Sequence, residues 1–491
     1  MQAARWPMGP RTIFFSSAVS RPTLAQGRKE GRIIRLAAGV WSADVHSAPA
    51  DIVAENLWQI IAKFCSDAII VDRTAARGGL VDGGIVTVAT DARTTPLELP
   101  GVTVLVRARV EHPSDTPWAA ELRGSTPARA LVDNLAESRG RNGRPGRTLT
   151  RAELEDWVAQ KRLAWGADRF AMLERDAVKV AQDLNVDPDP VRELFGAVSG
   201  TTAATPARGE FARAALDGRA WDERRVRMFA TAIGQLQELE AEPLGPPPED
   251  GELPFYEAYF SNYIEGTEFT IEEAREIIET QTPPARRAAD GHDILGTHRC
   301  VVDPIGRATT DDDPEAVIEL ARSRHRTLMV GRPDIGPGQF KDRRNRAGAT
   351  EFVDPDLVYG TLLEGLRLTS QVPPGLCRAV YVMSVISEVH PFTDGNGRVG
   401  RLMMNAELSA AGLCRIVVPT VLRNEYIAAL RRFSSHGGDL AALIPVMSLA
   451  WRWTAAMPWR DRAAVDAQMV ATNALVDSTD AADEHLHLVL P

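Results

Sequence analysis

The clearest hydrophobic pattern lies in the C-terminal half of the chain. CRAVYVMSVISEV, from Cys377 to Val389, places Val382, Val385, Ile386 and Val389 at the spacing of a buried helix face. LMMNAELSAAG repeats the pattern with Leu402, Met403, Ala406 and Leu408, and Gly412 can end that second helix. Upstream, DPDLVYGTLLEGLRL reads as a helix capped at Asp354, with Leu357, Leu362, Leu363 and Leu366 apolar. Between Pro337 and Pro355, PGQFKDRRNRAGATEFVDP sets turn residues between short stretches that can pair as a hairpin. The N-terminal half differs. AIIVDR, IVTVAT and TVLVRARV are rich in β-branched residues and read as strands. RAELEDWVAQKRLAW, from Arg151, opens a run of helices with Trp157, Leu163 and Leu173 in the core. The expected fold is multidomain: an α+β region followed by a mostly α-helical half.

Two turn-rich stretches divide this pattern. EAEPLGPPPEDGELP, Glu240 to Pro254, has little to bury and reads as an extended spacer, and the basic SRGRNGRPGRT, Ser138 to Thr148, is a weaker linker. A length of 491 residues accommodates two to four domains, and 44% hydrophobic with 25% charged residues is ordinary globular composition. The net charge of -10 argues against wholesale coating of nucleic acid. No apolar run approaches the roughly 20 residues needed to span a bilayer, and TIFFSSAV is too short for a secretory segment. Cys65, Cys300, Cys377 and Cys414 are too far apart for a metal-binding pair, which fits free thiols in the cytoplasm. The aromatic WRWTAAMPWR segment reads as packing, and DSTDAADEHLHLVLP as a polar tail that frays. Histidines other than His390 fall in no ligand spacing except that terminal HLH, and are read as structural.

Between the two strongest helices stands HPFTDGNGRVGR, His390 to Arg401. An imidazole can take a proton from a hydroxyl near neutral pH, which makes His390 a candidate general base. Asp394 offers the hard oxygen that magnesium prefers, and that ion needs few protein ligands. Gly395, Asn396 and Gly397 leave backbone N–H groups free to face an anion where a helix begins. Arg398 and Arg401, three apart, share a helix face and suit a polyphosphate.

The twelve residues resemble the signature of the Fic (Fido-fold) family, HPFx[DE]GNGRxxR, with no signature position departing from it. Family membership implies transfer of AMP from ATP to a hydroxyl of a target protein, with release of pyrophosphate. His390 would then deprotonate a Tyr, Ser or Thr hydroxyl, and Asp394 would hold Mg2+ on the α- and β-phosphates. The Gly395 to Gly397 backbone would bind phosphate oxygens, Asn396 would fix the loop and the α-phosphate, and Arg398 and Arg401 would engage the β- and γ-phosphates. Phe392 would be a packing anchor. Doc-type relatives, which phosphorylate, carry a lysine where this chain has Gly397, so the glycine favours adenylyl transfer. In this family a hairpin at 337–355 clamps the target as an added strand. Its basic residues Lys341, Arg343, Arg344 and Arg346 read either as a surface for an acidic partner or nucleotide phosphates, or as a solvated run.

SNYIEG, Ser261 to Gly266, resembles the family's inhibitory pattern [ST]xxxE[GN] in its N-terminal position. The resemblance implies that Glu265 pairs with Arg401 where the γ-phosphate would go, with Ser261 as the first residue of the inhibitory pattern. A carboxylate there would remove a donor from the triphosphate and repel it. The alternative is that Glu265 is one of several solvated carboxylates beside Glu268, Glu272 and Glu273.

Nearer the N-terminus, TLAQGRKEGRIIRLAAGVWS loosely resembles the end of a winged helix, with Arg28, Lys29, Arg32 and Arg35 directed at a nucleic-acid backbone. With the NLW, STPARALVDNL and RTLTRAELE segments it is similar to AbiEi-type antitoxin regulators. The expected organisation is a winged-helix segment at 1–50, an α+β accessory region at 51–239 and a linker at 240–254. An inhibitory-helix region at 255–312, a Fic (Fido) catalytic domain at 313–460 and a polar tail at 461–491 follow. Two functions are open: an auto-inhibited adenylyltransferase, acting on a target protein or on itself, or a DNA-binding regulator whose Fic half serves binding or another transfer. A homodimer is compatible with either.

Overall fold

The N-terminal strands form where β-branched residues can be sealed under one long amphipathic helix. Pro49–Phe64 buries Ile52, Val53, Leu57, Ile60 and Ile61, and these join Val86, Val88, Val102 and Val104 in one core. The computed structural model describes residues 11–141, 143–201, 206–239, 243–246 and 250–491. Contacts divide the chain into two units, Met1–Asp217 and Gly218–Pro491.

The first unit contains a six-stranded mixed sheet in the order Leu97–Leu99, Val102–Arg107, Ile85–Ala89, Ile69–Ile70, Arg123–Gly124, Thr116–Pro117. Ile85–Ala89 runs parallel to Val102–Arg107 and antiparallel to Ile69–Ile70. The AIIVDR strand is shorter than its composition suggests: at Asp72 the backbone turns to a positive φ of 54°, and a short helix, Asp72–Ala76, begins there. A second sheet places Val40–Ser42 between Ile13–Phe15 and Ile34–Ala37. The helix Arg21–Lys29 leads into this hairpin, and Arg28, Lys29, Arg32 and Arg35 are exposed. The first ten residues of the winged-helix expectation lie outside the described residues.

The helix Arg151–Asp183 starts in a capping box made by Thr150 and Glu153. Trp157 and Leu173 are buried in it as expected, but Leu163 is 45% exposed. It lies just before Gly166, whose φ of 73° and ψ of 173° interrupt the helical geometry and shift the apolar stripe. The Ser138–Thr148 stretch is no free linker either. Arg73, itself 3% exposed, donates to the carbonyls of Gly146 and Thr148 and pins the loop inside the first unit; Asn142 lies outside the described residues.

The second unit begins ahead of the expected spacer. Its helix Glu223–Gln237 buries Met228, Phe229, Ala232, Ile233 and Leu236. Residues 240–242 and 247–249 of the spacer lie outside the described residues, whereas the Leu244 carbonyl accepts the Cys414 N–H at 2.8 Å. The central helix Leu376–Val389 is buried along nearly its whole length and packs on Asn396–Ala410. Leu253–Ile264 packs on Ala288–Val302. The stretch expected to fray is ordered: Val489 N–H donates to Thr472 O at 3.1 Å, and Asp477 accepts from Tyr263 at 3.0 Å. Trp451, Trp453 and Trp459 are buried, as packing residues should be. No helix among the described residues is long and apolar enough to cross a membrane.

Candidate active site

The two central helices are joined by the loop that carries the chemistry. His390 closes the first in left-handed geometry, φ 52° and ψ 60°, so its ring leaves the helix axis. Nδ1 lies 3.2 Å from the Ser387 carbonyl. A carbonyl only accepts, which assigns the proton to Nδ1 and leaves the Nε2 lone pair to act as base. The imidazole stacks on Phe352 at 3.7 Å between centroids and 5° between planes. Burial pushes the His390 pKa down to about 4 against the opposing Ser387 carbonyl, and the nearby Lys341 charge adds to the lowering. The ring is thus neutral at pH 7.

The loop is braced from within. Asn396 accepts the Phe392 N–H at 2.8 Å and donates to the Phe392 carbonyl at 2.8 Å, so its amide is spent on the loop. Gly395, at φ 77°, approaches Met329 so closely that a Cβ would stand 2.4 Å from that methyl. His325 stacks on Phe392 at 3.9 Å. Its Nδ1 accepts the Gly338 N–H at 2.8 Å, so Nε2–H faces the Asp394 carbonyl at 3.1 Å. The structural reading of this histidine holds.

The expected hairpin is present as Arg346–Ala347 paired antiparallel with Thr350–Glu351. Lys341 at its base is neither a solvated charge nor a partner-facing one. It is 4% exposed and donates to Asn345 Oδ1 at 2.6 Å, while Asn345 donates to the Phe392 carbonyl at 3.1 Å. Burial lowers its pKa to about 8 despite Asp354.

The arginines are both occupied. Arg401 donates from Nη2 to Glu265 Oε1 at 2.7 Å and to Ser261 O at 2.8 Å, and from Nε to Ser261 Oγ at 3.1 Å. Burial would raise the Glu265 carboxyl, but the Arg401 and Arg398 charges outweigh it and hold it below its ordinary value. Glu265 is exposed like Glu268, Glu272 and Glu273, and what sets it apart from them is its pairing with Arg401. A Cβ on Gly397 would lie 2.2 Å from Glu265 Oε1: the carboxylate fits because residue 397 has no side chain. Arg398 is 2% exposed and pairs at 2.6 Å with Asp293, a residue the motif does not contain. Asp293 also lies 3.4 Å from Arg332, whose other nitrogen is 3.7 Å from Asp394. A lone Asp in the apolar run DILG was the only signal for this pair.

The Asp394 side chain is 44% exposed, with its nearest arginine nitrogens 3.7 Å away. One oxygen accepts the Gly395 N–H at 2.7 Å. An open carboxylate of this kind fits a magnesium ion completed by water and phosphate. His390, Glu265, Gly397 and Arg401 line one cavity of about 270 Å3, whose apolar wall includes Tyr426 and Phe433.

The Fic/DOC family model matches residues 316–408. The chain carries a Fic/DOC family domain. Protein adenylyltransferase Fic of Nematostella vectensis is 27% identical over 239 residues, covering 44% of this chain and 49% of that protein. The protein of the same name from Drosophila persimilis is 28% identical over 232 residues, covering 45% and 44%. The chain thus matches about half the length of these relatives. A solved structure of Fic-1 from C. elegans aligns over 66% of this chain and 90% of that one, at 17% identity and a TM-score of 0.37. Within the Fic domain lie His390, Asp394 and both motif arginines, whereas Ser261, Glu265 and Asp293 reach the site from sequence ahead of the matched range.

Proposed function

We propose that the Fic domain transfers AMP from ATP to a Tyr, Ser or Thr hydroxyl of a target protein, and that Glu265 holds it off. The target hydroxyl gives its proton to His390 Nε2, and its oxygen bonds to the α-phosphorus. The bond from that phosphorus to the oxygen bridging to the β-phosphate breaks, and pyrophosphate leaves with the electron pair. Arg398, Arg401 and the Gly395–Gly397 backbone bind and orient the phosphates. Asp394 would hold Mg2+, which when bound neutralises charge on the α- and β-phosphates.

The contact of Glu265 with Arg401, in the same cavity as the imidazole, carries this reading. Names of the relatives support the transferred group, and the free thiols of all four cysteines support a reducing, cytoplasmic setting. The test is incorporation of α-labelled and, separately, γ-labelled ATP by the full chain, alone and with candidate targets. Glu265→Gly should raise α-label transfer at least about tenfold by freeing the competent state. His390→Ala in that background should lower it by about 10²–10⁴-fold. Label from the γ position alone would mean phosphorylation, and no label from either would end the reading.

The N-terminal unit supports a separate function: DNA binding by the Arg21–Lys29 helix and the hairpin after it, which expose Arg28, Lys29, Arg32 and Arg35 together. Replacing Arg28, Lys29 and Arg35 should weaken a gel shift and flatten its salt dependence, and an unchanged shift would remove this reading.

A further inference from the structure

Among the described residues, two contacts orient the imidazole of His390: the 3.2 Å approach of Nδ1 to Ser387 O and the stack on Phe352. The stack is the more extensive, and it depends on a hairpin whose paired strands are two residues each. A ribbon that short cannot fix its own position, so something outside it must. Arg225, on the Glu223–Gln237 helix, is placed to do so. Its Nη2 donates to the carbonyl of Glu351, the residue before Phe352. Its Nε lies 2.6 Å from Glu388 Oε1, two residues before His390, and the two side chains are 5% and 4% exposed. One planar cation therefore touches the chain beside both members of the stack.

Each end of this bridge is itself fixed. Ser434 Oγ donates to Glu388 Oε1 at 3.1 Å. The Arg225 N–H is capped by Asp222 Oδ1 at 3.1 Å, and the same helix packs Phe229 against Gly365, where a Cβ would be 2.9 Å from the ring. Were the ion pair only a structural filler of the interior, the Glu388 contact would suffice and the second donor would have no reason to reach the hairpin.

We infer that Arg225 is a positioning residue: its guanidinium fastens the Thr350–Glu351 strand to the end of the Leu376–Val389 helix, and so holds Phe352 where it orients the His390 imidazole. The inference rests on the proposed adenylyl transfer for its catalytic consequence, while the geometry of the stack can be tested without it.

The full chain carrying Glu265→Gly serves as background. Arg225→Lys keeps a charge beside Glu388 but lacks the forked donors that reach the Glu351 carbonyl. It should lower α-label transfer by about a hundredfold, the cost of a small misplacement at a reacting group. ATP affinity measured by calorimetry should stay unchanged. In carbon-13 histidine spectra the upfield ring-current shift of His390 should disappear, and the Phe352 amide should exchange faster. Arg225→Ala should match it, and Arg225→Lys guards against an alanine variant that does not fold. Unchanged transfer with an unchanged His390 shift would overturn the inference, as would equal losses of ATP affinity and transfer. If Glu265→Gly alone transfers no label, adenylyl transfer fails instead, and the ring-current and exchange measurements still decide the role of Arg225.

Discussion

Two buried ion pairs, one from each unit, differ in what surrounds them. In the first, Arg129 pairs with Asp115 at 2.5 Å, and both side chains are 0% exposed. Asp133 and Asp72, 9% and 1% exposed, complete that cluster through Arg107. In the second, Arg401 is as deeply set at 6%, but its partner Glu265 is 32% exposed and faces a cavity. At Arg129–Asp115 both partners are sealed, so no ligand reaches either one and the pair serves architecture. A pair with one partner open to a cavity can exchange that partner for a ligand. Burial of charge alone does not mark a site; a replaceable counter-ion does.

That contrast can be broken most forcefully at Arg129. Arg129→Met strands Asp115 in the interior and should cost the first unit roughly 3–5 kcal/mol, read as faster native-state amide exchange in its sheet. If the variant kept its stability, the sealed cluster would be no more architectural than the open one. A smaller effect sharpens the contrast through pH. Burial, opposed by Arg107, raises Asp72 to about 6, so folding favours its protonated form. Its contribution is complete below about pH 4 and is lost as pH rises through 6. Burial lowers His325 to about 4 despite the Asp394 carbonyl, so folding favours its neutral form. That contribution is present above about 6.5 and is lost as pH falls through 4. Each group is worth about 3 kcal/mol, with opposite slopes. Exchange measured from pH 4 to 7 should show the slopes cancelled by Asp72→Asn in the first unit and by His325→Gln in the second. Unaltered slopes would mean that neither group titrates as its surroundings dictate.

Much of the second unit was legible because its signals are local. Helix periodicity located the two helices flanking the loop, and one contiguous motif named His390, Gly397 and Arg401 at the cavity. Glu265 and Ser261 were found by a second short pattern. Asp293, Arg332 and Arg225 were not, since each meets its partner only after distant segments pack, and a single charged residue in a helix carries no mark of that. Leu163 failed for a related reason: periodicity assumes an unbroken helix, and Gly166 breaks it. Lys341 reads as surface by composition, yet the Val389 carbonyl and Asn345 draw it inward. In the first unit the strands were visible in β-branched runs, but composition reveals neither their order nor the turn at Asp72, whose buried carboxylate pairs with Arg107.

At position 397 the missing Cβ leaves just enough room for one oxygen of Glu265. On the reading given above, the terminal phosphate of a nucleotide needs that same volume, so occupancy there is a contest between two anions for one space. A closed form outnumbering the open one a hundredfold would weaken apparent nucleotide affinity by about the same factor. How strongly the chain responds to a rise in nucleotide concentration would then be set by the tightness of a carboxylate's fit, and a single added carbon atom would be enough to erase the difference between its resting and working states.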